Sequence, residues 1–101
     1  MSFPLYQAQA EFYRTLGHPV RVRILELLEA KPLAVRELLA EVGVEPANLS
    51  QQLAVLRHAF LVRTYRNAGV VMYALATPAV REILALATRA SALQPENPIS
   101  Q

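Results

Sequence analysis

Apolar positions along the first half of the chain recur at helical spacing. Leu5, Phe12 and Leu16 fall seven and four residues apart and predict an amphipathic helix over about 5–16, closed by Gly17. His18-Pro19 restarts the chain, and Pro19 suits a first helical position. Val20, Ile24, Leu27 and Leu28 then make the apolar stripe of a second helix that ends near Ala30, with Pro32 beyond. Val35, Leu38, Leu39 and Val42 recur at three and four, which predicts a short third helix with all four facing the core. Gly43 supplies the left-handed residue that closes it. Pro46 opens a fourth helix, running to about Ala59, whose buried line is Leu49, Leu53 and Leu56. Two short helices about a glycine-containing turn form a helix-turn-helix, a unit whose second helix can enter the major groove of DNA.

The period then changes from helical to alternating. Val62 to Arg66 and Val70 to Leu75 are rich in β-branched and aromatic residues and flank Asn67-Ala68-Gly69, so they predict a hairpin. Pro78 opens a last helix with Val80, Ile83, Leu84 and Ala87 on one face and Leu86, Ala90 and Leu93 on an adjoining one. That is more apolar surface than one core needs. The fold class is therefore mainly α with a small β-hairpin, in the order α-α-α-α-β-β-α of a dimeric winged helix-turn-helix. One domain is expected over 1–93, with a flexible polar tail over 94–101 that carries Pro95 and Pro98.

Composition narrows the choice of function. A chain of 101 residues fits one domain, and its hydrophobic fraction of 53% is high for that length, in keeping with a buried partner surface. Without a long unbroken apolar run or a signal-like start, the expected location is cytoplasmic, with no membrane partner. The net charge of +2 is small but unevenly distributed: the chain has no Asp, its Glu residues lie mainly at 26–45, and Arg57, His58, Arg63 and Arg66 form a stretch without an acid. A local basic surface of this kind suits a polyanion, although a solvated Arg-rich face would look the same on charge alone. The absence of cysteine excludes thiolate metal sites and thiol redox chemistry in this chain. With no nucleophile beside a base, no glycine-rich phosphate loop and no metal-ligand cluster in the sequence, an enzyme is not expected, nor is any cofactor.

Candidate contacts follow from the fourth helix. With Leu49 inward, Ala47, Gln51, Ala54 and His58 point outward, Ser50 and Arg57 lie on one flank, and Asn48 and Gln52 lie nearer the other. The Gln51 amide suits a bidentate contact with adenine, and the small Ala47 and Ala54 permit close approach to the groove floor. Gln52 sits at the core edge, where a bond within the protein competes with one to DNA. Arg57, Arg63 and Arg66 are candidates for phosphate contacts, which position a duplex without reading it. His18, between the first two helices, reads as structural. Tyr6, Phe12 and Tyr13 could line a pocket or pack a dimer.

Leu16-Gly17-His18-Pro19-Val20-Arg21-Val22-Arg23-Ile24-Leu25, Asn48-Leu49-Ser50-Gln51-Gln52-Leu53-Ala54-Val55-Leu56-Arg57, Leu61-Val62 and Tyr73-Ala74-Leu75 together resemble the ArsR/SmtB repressors. The likeness runs in order from residue 5 to 93. It implies a dimeric repressor released from its DNA operator by a signal, with the first and last helices forming the interface. Leu5, Phe12, Tyr13, Ile83, Leu86, Ala90 and Leu93 are the residues expected there. The resemblance also places Ser50 towards the groove and gives Arg21 a role in stabilising the fold.

Three departures from the family pattern stand out. Val35 to Leu39 holds no thiolate, and Glu82 is alone on the last helix, so no metal site is carried over. Ala68-Gly69 replaces a more polar wing tip. Phe60 stands where the family commonly has a residue tolerant of a left-handed backbone, so either the helix ends differently or Phe60 anchors the hairpin under strain. The expected partners are a palindromic double-stranded operator, a second copy of the chain and an unidentified small-molecule effector. The competing reading is a winged-helix module that docks a protein and no longer binds DNA.

Overall fold

A computed structural model describes residues 3–92, without the side chains of Phe3 and Leu5; Leu93 and the tail from Gln94 to Gln101 lie outside the described residues. The element order is α1 (Phe3–Leu16), α2 (Pro19–Ala30), β1 (Leu33–Ala34), α3 (Val35–Val42), α4 (Pro46–His58), β2 (Val62–Asn67), β3 (Val70–Leu75) and α5 (Pro78–Ala92). The helices start and stop for local reasons. Pro19 sits in the first turn of α2, and His18 caps it by accepting the Val20 N–H on Nδ1 at 3.2 Å. Glu37 reaches back from α3 to accept the Ala34 N–H at 2.9 Å, half of a capping box. Gly43 ends α3 at φ 73°, the left-handed conformation expected of it.

The sheet has one strand more than the hairpin alone. Leu33 and Ala34 pair antiparallel with Tyr73 and Met72, giving the order β1-β3-β2, and β2 and β3 pair from Val62 with Leu75 to Asn67 with Val70. A strand of two residues has no periodicity to betray it, and Lys31-Pro32 reads as a linker. Val35, expected in the core, follows directly on this strand and is 39% exposed. Ile24, Leu25, Leu28, Leu38, Leu49, Leu53, Leu56, Leu61, Val62, Leu75, Val80 and Leu84 form one buried cluster beneath the helix-turn-helix. Burial at roughly 25 cal/mol per Å² of apolar surface makes this cluster the main stabilising term.

Candidate nucleic-acid interface

The fourth helix is held by its apolar side and offers its polar side to solvent. Leu49, Leu53 and Leu56 are buried, whereas Ala47, Ser50, Gln51, Ala54, Arg57 and His58 are exposed. Ser50, Gln51 and Arg57 thus lie on the open surface of α4 between the small residues Ala47 and Ala54. The other predicted contacts divide. Asn48 is half-buried in the first turn. Gln52 is only 6% exposed; its Oε1 accepts from Arg21 Nε at 2.8 Å, and its Nε2 donates to Asn48 Oδ1 at 3.0 Å. Gln52 is therefore corrected from a DNA contact to an internal strut, because both ends of its amide face partners inside the protein. Local spacing brought it to the core edge; the partner, 31 residues earlier, leaves no local trace.

His58 turns from the open face towards α1. Its Nδ1 lies 2.8 Å from the Ala54 carbonyl, and the ring lines a cleft of about 550 Å³ with Glu11, Phe12, Thr15 and Val55. At the end of α4 the chain closes with Leu61 N–H donating to Leu56 O and Phe60 at φ 60°. This is the six-to-one bond of a Schellman cap, with Phe60 in the position that favours glycine. The strained backbone foreseen at Phe60 is present, but its ring is 82% exposed and does not anchor the hairpin.

The wing projects beside this helix. Ala68 at φ 52° and Gly69 at φ 82° make a two-residue turn with both central residues at positive φ, as a type I′ hairpin requires. Strand alternation puts Arg66 on the same side of β2 as Val62, which packs into the cluster containing Leu49, Leu53 and Leu56. Arg66 donates to Gly69 O at 3.0 Å, bracing the tip while its charge stays exposed. Arg63 belongs to the other face; its guanidinium lies 5.2 Å from the Tyr65 ring centroid, and it shares a notch at the base of the wing with Pro78 and Arg81. The structure thus brings Ser50, Gln51, Arg57 and Asn48 together on α4, sets Arg66 on the adjoining wing, and directs Gln52, His58 and Arg63 elsewhere.

A second surface lies between α1 and α5. Ala8, Phe12, Tyr13, Leu16, Ile83 and Leu86 are among the residues lining an open apolar groove of about 720 Å³, which Ala87 and Ala90 extend. Tyr13 is 67% and Leu86 57% exposed. Of the interface residues expected from the sequence, Phe12, Tyr13, Ile83, Leu86 and Ala90 lie on this groove; the Leu5 side chain and Leu93 are outside the described residues. Among the described residues no group of three or more His, Cys, Asp or Glu is placed to hold a metal ion, and no helix is long and apolar enough to cross a membrane.

Comparison with known proteins places this geometry in a family. The family model described as bacterial regulatory protein, arsR family, matches residues 18–64, from the cap of α2 through the first half of β2. An uncharacterized HTH-type transcriptional regulator, Rv0081 of Mycobacterium tuberculosis, is 49% identical over 89 residues, covering 87% of this chain and 78% of that protein. Its crystal structure matches with a TM-score of 0.85 over 90% of this chain and 92% of that one. The crystal structure of NolR from Sinorhizobium fredii, 30% identical, matches with a TM-score of 0.78 over 89% of this chain and 93% of that one. A biofilm growth-associated repressor of Xylella fastidiosa is 39% identical over 66 residues, 65% of this chain and 58% of that protein. A winged helix-turn-helix with an exposed polar α4, matched over its whole reading head by proteins of this kind, belongs to the arsR family of bacterial regulatory proteins.

Proposed function

We propose that this protein is a homodimeric transcriptional repressor that sets α4 into successive major grooves of a palindromic operator. The observation that carries the reading is the exposed line of Ala47, Ser50, Gln51 and Ala54, flanked by Arg57 and by Arg66 on the wing. Small residues admit the helix to the groove, Gln51 can make a bidentate contact with N6 and N7 of an adenine, and the arginines suit phosphates. The repressor assignment draws on relatives named as repressors, including the biofilm growth-associated repressor and a transcriptional repressor SmtB homolog of Synechocystis.

The apolar groove between α1 and α5 supports the dimer, since its exposed Tyr13 and Leu86 would be covered by a second copy. A two-fold dimer then sets its reading helices roughly 34 Å apart, one turn of the duplex, and demands a palindrome. The proposed unit is the single winged domain of residues 1–93, acting in the cytoplasm. Its signal is neither thiolate-bound metal nor thiol oxidation, because this chain has no cysteine; a small-molecule effector is the proposed alternative. A gel-shift series on the DNA upstream of its own gene tests the function. Retardation that weakens steeply with added salt is expected, and none at low salt would overturn the reading.

A further inference from the structure

Arg21, Gln52 and Asn48 form a chain of hydrogen bonds whose polarity is fixed at one end. A guanidinium has only donors to offer. Arg21 Nε, 2.8 Å from Gln52, therefore requires the amide oxygen of Gln52 to face it, and the amide nitrogen must point the other way. That nitrogen donates to Asn48 at 3.0 Å, so the oxygen of Asn48 must face inward. Arg21 is itself held from behind, through a long contact of 3.5 Å from its terminal nitrogen to the carbonyl of Thr15 at the end of α1. Gln52 is buried, which keeps water from competing with the relay. An asparagine amide is normally free to turn over and present either an oxygen or an NH₂; this one is not.

From this relay we infer that Asn48 is a donor-only reader, with Arg21 and Gln52 as the positioning residues that fix its orientation. The inference rests on the proposed DNA reading by α4. Asn48 occupies the third position of α4, two residues after Pro46, within the N-terminal part of the helix that meets base edges in this motif. With Oδ1 turned inward to Gln52 and its NH₂ turned the other way, it does not present the adjacent donor and acceptor of the bidentate contact by which asparagine selects adenine. It selects a base that offers acceptors alone, either O6 and N7 of guanine or O4 of thymine, and it opposes the exocyclic amino group of cytosine. The free amide of Gln51 is left to read adenine. The two neighbouring amides thus carry different specificities, although the sequence makes them look alike.

Selection from a pool of randomised duplexes tests this, with the full chain and three variants compared at the same low salt. The wild type should enrich guanine or thymine at one position per half-site, about ten- to a hundredfold over cytosine. Asn48→Asp keeps the acceptor towards Gln52 but turns a second oxygen to the DNA, so the preference at that position should invert to cytosine or adenine. Gln52→Glu keeps the bond with Arg21 and can no longer donate, which should flip the Asn48 amide and give the same inversion with the Asn48 side chain intact. Arg21→Met should release the relay and flatten the preference at that position alone. A merely structural role would weaken binding to all sequences equally and would leave base preference unchanged. Should Arg21→Met fail to fold, Gln52→Glu still decides the matter. Adenine selected by the wild type at the Asn48-dependent position, or an affinity loss uniform across sequences in the variants, would overturn the inference. A wild type that enriches no sequence would instead overturn the DNA reading itself.

Discussion

A left-handed backbone at a bulky residue costs about 1–2 kcal/mol, and Phe60 bears that cost at φ 60° while its ring lies in solvent. Phe60→Gly is therefore expected to stabilise the protein, with a net gain of about 0.5–1 kcal/mol after the extra freedom of glycine in the unfolded chain is set against it. Calorimetry should show Tm rising by a few degrees; a fall would mean that the ring makes a contact in the dimer. Gly43 is the converse case. A Cβ there would meet nothing within 4 Å, but φ of +73° strains any L side chain. Gly43→Ala should cost about 1 kcal/mol, read as a lower urea midpoint with unchanged slope. The sequence marks Gly43 as a left-handed closing residue by its own spacing, whereas it marks Phe60 only through the resemblance to the family. Whether strain was actually present at Phe60 depended on how α4 ended, and the Leu61 to Leu56 bond settles that.

At the level of elements, what could be read in advance was what repeats. Helices α2 to α5 carry aliphatic residues at three and four, α1 repeats Leu5, Phe12 and Leu16 at seven and four, and the hairpin alternates about a turn of small residues, so their order and most of their bounds were legible. β1 was not, because two residues hold no period and its evidence lies 38 to 40 positions away at Met72 and Tyr73. The candidate site was legible to the same degree. The outward line of α4 follows from setting Leu49 inward, whereas the burial of Gln52 depends on Arg21, which comes close only once α2 and α4 have packed. Arg63 and Arg66 looked equivalent as basic residues, and only the pleat of β2 separates them. This separation carries a prediction about salt. Arg57→Ala and Arg66→Ala should each lower the slope of log affinity against log salt concentration by about one, whereas Arg63→Ala should leave it unchanged. Equal slopes for all three would show that the wing face does not sort them.

For the whole molecule, the groove between α1 and α5 predicts how the protein assembles. Leu86 projects from α5 with little intramolecular packing, so replacing it with a charge should disturb the partner more than the fold. Leu86→Glu is expected to give a monomer in sedimentation velocity at micromolar concentration, with an unchanged circular dichroism spectrum, and to bind one half-site weakly. A dimer that survives this substitution would place the contact elsewhere. Assembly and DNA reading should then separate cleanly, since Gln51 and Leu86 lie on different surfaces.

Leu61 joins two working parts of the molecule. Its N–H is bound to Leu56 at the end of α4, and its carbonyl accepts from Ala76 at the end of β3, both at 3.0 Å. The reading helix and the wing are consequently welded at one vertebra and form a single jaw. Under the proposed DNA reading, a signal that displaces the end of α4 is expected to carry the wing with it through Leu61. Helix and wing would then leave the duplex in one stroke, and the proposed repressor would let go abruptly instead of sliding to a weaker hold.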